Sequence, residues 1–301
     1  MGLKAKKERG VHSGLHCQNE WNAMKLPWDK SFGYLREMGA PEENRSGIFF
    51  ASRLKKTFLE VYLLTLFTIH FFKEVLRPPY DFNELIKQSY LIGYKSLSLV
   101  GITAFIMGLV LTIQTRPTLT EVGAEAWLPA MVAVSIIREI GPAITALLCA
   151  GRVGSGIGSE LAIMKTTEQI DAMKLAGINP FKFVVVTRIL AATLMVPLLV
   201  VFADAASLYG SYLAVSMKGN VSFHLYYLQV FQKLTFTDVL PAFIKTFFFG
   251  FAIGLIGCYQ GYNAEEGNQG IGKAANSAVV IASFMIFVID IIAVQVTSFF
   301  I

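Results

Sequence analysis

Five ionisable side chains interrupt otherwise apolar runs: Arg138, Glu139, Asp204, Lys245 and Asp290. A charge held away from water is costly, so each is a candidate for an ion pair, a polar pathway or a contact with a charged headgroup. Arg138 and Glu139 are neighbours. On a helix their side chains point about 100° apart, so each needs its own partner. Pro142 follows shortly after; it can bend the helix and free a carbonyl. The plainer alternative is a set of helix-packing ion pairs, for example Lys245 with one of the aspartates.

A second group lies in the polar stretch Met164 to Phe183, MKTTEQIDAMKLAGINPFKF. Thr166 and Gln169 have the spacing of a capping box. Thr167 stands beside them, and Glu168 and Asp171 fall where a helix dipole favours acids. Ile170 and Met173 share one face, with Ala172 between them. Gly177 predicts a helix stop and Asn179-Pro180 a turn. The pattern predicts a short amphipathic helix over 166–176 with punctuated ends. Its apolar face would either dock on a separate cytoplasmic protein or lie on lipid headgroups.

Two glycine-rich runs look like nucleotide loops without their context. GRVGSGIGSE (Gly151 to Glu160) follows an apolar helix rather than a strand. Gly151, Gly154, Ser155, Gly158 and Ser159 instead have the spacing of close helix packing. GNQGIGKA (Gly267 to Ala274) lacks the hydroxyl residue and the preceding strand of a phosphate-binding loop. There is no HExxH or GxSxG run, and no nucleophile–base set. His12, His16, His70 and His224 are dispersed, as are Cys17, Cys149 and Cys258, so no metal site or disulfide framework is expected. A catalytic role is not expected.

The elements that must position these residues follow from composition. Of the 301 residues 54% are hydrophobic and only 16% charged, against about 25% charged in an ordinary soluble domain. That excludes a disordered chain, a coiled coil or a soluble enzyme, and predicts a membrane protein. A span needs about 20 mostly apolar residues. Five segments qualify, at about 93–115, 126–150, 183–217, 239–261 and 278–301. They are too long and continuous for barrel strands, which leaves an all-α membrane fold. Residues 54–76 read as an amphipathic helix lying in the interface, with a sixth span as the alternative. The apolar body is thus 54–301, and 1–53 is a polar tail, expected to be partly disordered.

Residues 1–56 hold 11 Lys/Arg and 6 Asp/Glu, so the whole net charge of +5 resides there. The start of the chain has no apolar core region and is not read as a secretory signal. The connection between spans two and three carries Arg152, Lys165, Lys174, Lys182 and Arg188, whereas that between one and two has only Arg116. The positive-inside bias therefore puts the N-terminus and this connection in the cytoplasm and the C-terminus outside. A nucleic-acid role does not suit a chain embedded in lipid.

The stretch Arg138 to Ala191, containing REIGP, GRVGSGIGSE and EQIDAM, closely resembles the signature of the MlaE/YrbE-type permease family. GLVLTIQT (Gly108–Thr115), EVGAEAW (Glu121–Trp127), PLLVVFADAASLYGS (Pro197–Ser211) and the CYQG block within Ile244–Val280 are also similar to it. The resemblance runs from about Leu54 to the end. It implies the membrane subunit of an ABC transporter that moves phospholipid or related lipid between membranes, sited in the cytoplasmic (inner) membrane with a periplasmic C-terminus. It further implies a homodimer, an ABC ATPase partner that holds ATP and magnesium, and an MCE-domain lipid-binding protein. No cofactor would be bound by this chain. Thr166–Ala176 would be the coupling helix seated in the ATPase, and a lipid cavity would lie at the dimer interface. Where the family has small residues, this chain has Gly158-Ser159-Glu160-Leu161-Ala162, a departure at the inner end of span two. The competing reading is a self-sufficient secondary transporter or channel using the intramembrane charges.

Overall fold

The computed structural model describes residues 46–78, 81–217 and 221–300. Two compact units divide at Leu66/Phe67. In the first, the described residues are the start of helix α1, Ser46–Val75. The helix thus begins eight residues before the expected position 54; the tail before Ser46 lies outside the described residues.

The second unit holds the end of α1 and seven further helices. These are α2 (Phe82–Glu121), α3 (Glu125–Thr166), α4 (Gln169–Leu175), α5 (Phe181–Ser216), α6 (Phe223–Lys233), α7 (Phe236–Tyr262) and α8 (Asn268–Phe300). Among the described residues there is no strand. Helices α2, α3, α5, α7 and α8 are long and apolar enough to cross a membrane. Each begins before its sequence-predicted span, because the preceding polar residues are already helical. Glu84, Lys87 and Gln88, for example, lie inside α2.

The spans alternate in direction. One end of the bundle carries the starts of α2, α5 and α8, the ends of α3 and α7, and the short helix α4. The other end carries α6, which lies in the connection between the third and fourth spans. Helix α6 closes that end by inserting Tyr226 and Val230 among Leu119, Leu128, Val132, Ile136 and Val215.

Lipid gives little apolar incentive for helices to associate, so close backbone approach and interhelical hydrogen bonds must serve. The α2–α5 pair shows both. A Cβ on Gly108 would lie 1.9 Å from the Ser207 carbonyl oxygen, and one on Gly210 2.3 Å from that of Phe105. Beside them Ser207 Oγ donates to the Ala104 carbonyl at 2.8 Å, and Thr112 Oγ1 to Ser211 Oγ at 2.7 Å.

Helix α3 is not regular. Ile136–Ile140 and Ala150–Gly154 are π turns, as is Phe181–Val186 at the start of α5. Pro142 follows the first, so the bend expected near it takes the form of a widened turn. Of the glycine and serine positions expected to pack, Gly158 meets Ala278 and Ala274, and Gly154 faces Ile253. Gly151 has open space where its side chain would be. Ser155 and Ser159 bond their own helix, at the carbonyls of Gly151 and Gly156. The tighter approach comes from the facing helix: a Cβ on Gly261 of α7 would sit 2.6 Å from the Gly158 carbonyl oxygen.

Candidate functional site

Three of the five intramembrane charges meet. Lys245 of α7 lies 2.7 Å from Glu139 of α3 and 2.9 Å from Asp290 of α8. Its side chain is 5% exposed, against 39% for Glu139 and 19% for Asp290. One cation thus holds two carboxylates and ties three spans together. Arg138 turns elsewhere, as adjacency on a helix requires, and faces Asp238 at 3.8 Å. Asp238 was not anticipated as a site residue. Its other oxygen caps α7, accepting from the Thr235 amide at 3.2 Å and the Thr235 hydroxyl at 2.6 Å. Its spacing three residues after Thr235 is the sequence signal for that role. Arg138, Glu139, Asp238, Lys245 and Thr297 line a small recess with Pro241 and Ala242, nearer the α6 end of the bundle.

Asp204 does not join this group. Its Oδ1 is buried without a hydrogen-bond partner and occupies the space a side chain at Gly141 would need.

A second charge pair was missed because Arg188 was counted with the connecting loop. It lies inside α5, 3% exposed, and bonds Glu160 of α3 at 2.7 Å and the Val184 carbonyl at 2.9 Å. Arg152 likewise falls within α3 rather than in a loop. The connection itself, 167–180, contains one cation, Lys174, so its charge bias is smaller than the sequence count gave.

At the opposite end, α4 is shorter than the expected 166–176. The capping box is not formed. Thr166 is the last residue of α3 and donates to the Ala162 carbonyl, and Thr167 donates to that of Ile163. The chain turns instead at Glu168, whose φ of 58° is left-handed, and α4 starts at Gln169. The C-terminal stop is as expected. Gly177 has φ 77°, its amide donates to the Lys174 carbonyl and the Ile178 amide to that of Met173. This reciprocal pair seals the helix end. Ile170 is buried and Met173 half-buried, so the expected docking face is spent on the protein itself. The outward surface is Gln169, Asp171, Ala172, Lys174 and Leu175, with Leu175 91% exposed.

Beyond α4, Asn179 accepts from the amides of Phe181 and Lys182 at 3.1 and 3.4 Å and so starts α5. Its Nδ2 donates to Glu74 of α1 at 3.3 Å. Gly267 to Ala274 forms the entry to α8. Cys149 and Cys258 are buried free thiols, and no cluster of metal-ligating side chains occurs among the described residues.

Residues 85–296 match the family model of the MlaE permease. A probable ABC transporter permease protein of Rickettsia typhi is 36% identical over 226 residues, covering 75% of this chain and 87% of the relative. The intermembrane phospholipid transport system permease protein MlaE of Haemophilus influenzae is 33% identical over 212 residues, covering 70% and 81%. A probable ABC transporter permease protein of Pyropia yezoensis is 31% identical over 210 residues, covering 70% and 80%.

Proposed function

This chain belongs to the MlaE permease family, and from that premise we propose that it is the membrane subunit of an ATP-driven carrier of phospholipid between membranes. A partner subunit binds ATP and magnesium and hydrolyses the nucleotide; this chain makes and breaks no covalent bond. The observation that carries the reading is α4. Seven residues are suspended between two spans, anchored inward by Ile170 and sealed at Gly177, with Asp171, Lys174 and Leu175 turned away from the bundle. A rigid, outward-facing helix of this kind suits a groove on a soluble ATPase.

Two copies of the chain pair in the membrane. We place the contact on α8, where Ala274, Ala278, Ala282 and Ile286 pack inward and Val280, Phe284, Phe287 and Ile291 are turned to lipid or to the second copy. The N-terminus and α4 face the cytoplasm, the α6 end faces the periplasm in an inner membrane, and an MCE-domain protein receives or delivers lipid there. Helix α1 lies along the cytoplasmic interface. Arg138 sits at the rim of a recess with its acidic partner at 3.8 Å, loose enough to turn to an anionic headgroup. The Lys245 triad holds the three spans that shape that recess.

The test is co-purification of the ATPase with the chain carrying Asp171→Lys and Leu175→Asp. Both side chains are exposed, so folding is preserved and binding is lost. Undiminished co-purification refutes the docking.

A further inference from the structure

Helix α1 reaches the bundle at the point where α4 hands over to α5. Phe181, the first residue of α5, is 4% exposed and sits edge-on to two side chains of α1, Phe67 at 5.1 Å and His70 at 4.4 Å between ring centroids. Phe67 also meets Tyr259 of α7 at 5.6 Å. Next to this aromatic socket is a polar clasp. Glu74 of α1 is only 7% exposed although charged; it accepts from Asn179 Nδ2 and pairs with Arg77 at 3.6 Å. Lys182 Nζ donates to the Arg77 carbonyl.

Asn179 therefore has two roles at once. Its oxygen holds the start of α5 and its nitrogen holds α1. On its other side the chain is pinned as well: the Ile178 amide is bonded back to Met173 of α4. A displacement of α4 has no slack to absorb it before Asn179. Burying a carboxylate at Glu74 is costly unless it is bonded, so the clasp is a built contact rather than a casual one.

We propose that the end of α1 from Phe67, with the turn that follows it to Arg77, receives the stroke applied to α4, and that Asn179 is the positioning residue that passes it on. Residues from Phe67 onward belong to the same compact unit as the spans, so the stroke reaches the end of α1 as well as the spans. The inference rests on α4 being the ATPase-docking helix.

Exchanging donor and acceptor tests it in the complete transporter. In Asn179→Asp the carboxylate still accepts from the two amides that start α5, but it repels Glu74. Adding Glu74→Gln restores a donor–acceptor pair with the polarity reversed. The readouts are ATPase co-purification, ATP hydrolysis, and fluorescent phospholipid transferred between vesicles per ATP hydrolysed. In Asn179→Asp the ATPase stays bound and hydrolyses ATP, while lipid moved per ATP falls on the order of tenfold, the scale of one hydrogen bond to a charged group. The double variant recovers most of that ratio.

A parental ratio in Asn179→Asp overturns the inference. So does a double variant no better than the single, or a loss of ratio that only follows a loss of thermal stability. Failure of the docking itself reads out separately, as unchanged co-purification in the α4 surface variant.

Discussion

Replacing Lys245 by methionine keeps the stem of the side chain and removes the charge that Glu139 and Asp290 share. The two carboxylates are then left at one site among three spans, without the ammonium that lies 2.7 and 2.9 Å from them. Removing one partner of a buried pair costs about 3–5 kcal/mol. Glu139 is 39% exposed, so screening discounts its share. The lower end of that range, about 3 kcal/mol, is the working value. For a chain of this size it corresponds to a fall in melting temperature on the order of 5 °C.

The protein carries its own probe. Cys149 and Cys258 are fully buried, so a thiol-reactive dye reports unfolding in detergent once Cys17 is changed to serine. The control is the triple variant Glu139→Gln, Lys245→Met, Asp290→Asn, which removes every charge of the triad together. Neutralising a whole buried ion group is close to neutral for stability, so the triple melts well above the single variant. A single variant melting within about 2 °C of the parent, or a triple melting as low as the single, refutes the view that the triad is held by mutual compensation.

Other outcomes follow from the same geometry. Gly108→Ala forces a methyl to within 1.9 Å of the Ser207 carbonyl and lowers stability by about 1–3 kcal/mol, measurable in the same melt. Glu160→Ala costs more than Arg188→Met. The first strands a guanidinium that is 3% exposed, whereas the second leaves a carboxylate that is 49% exposed; the reverse order of melting temperatures refutes this. Burial holds His70 below the usual imidazole range, reinforced by Lys73 and Arg77 and opposed by Glu74. Its contribution is therefore complete above about pH 6.5 and is lost as pH falls through the lower folded-state value. Amide protection around Phe181, corrected for the intrinsic exchange rate at each pH, falls on acidification, and His70→Phe flattens that response.

Composition and run length were enough to place five spans, because an apolar stretch long enough to cross lipid has few other fates. The helix stop at Gly177 was equally legible, since φ 77° is a conformation that few other residues adopt. The start of α4 was not. Thr166 has the spacing of a cap, but its hydroxyl bonds back into α3, and the turn is made by a glutamate in a left-handed conformation. The real capping box, Thr235 with Asp238, has the same type of pattern; spacing alone does not rank the two.

Lys245 meeting an aspartate was readable as a possibility. That it also takes Glu139 was not, because the π turn over Ile136–Ile140 carries Glu139 and breaks the regular 3.6-residue phase. Arg188 was misplaced because a count of charges near a loop says nothing about which ones fold inward. The face of α4 was legible as amphipathic, but periodicity cannot tell whether Ile170 meets the protein itself or a partner.

The π turns of α3 bear on how such a chain can change length. A π turn is a helix holding one residue more than its regular path needs. Deleting a residue within Ile136–Ile140 or Ala150–Gly154 would leave an ordinary α-turn, and the faces on either side would keep their bearings. Elsewhere in a span, losing one residue swings everything beyond it by about 100°. Helix α3 therefore carries two places where single-residue gaps can be accepted inside the membrane. Comparisons among relatives should find their intramembrane gaps there, with the segment Gly141–Cys149 between them keeping its facing.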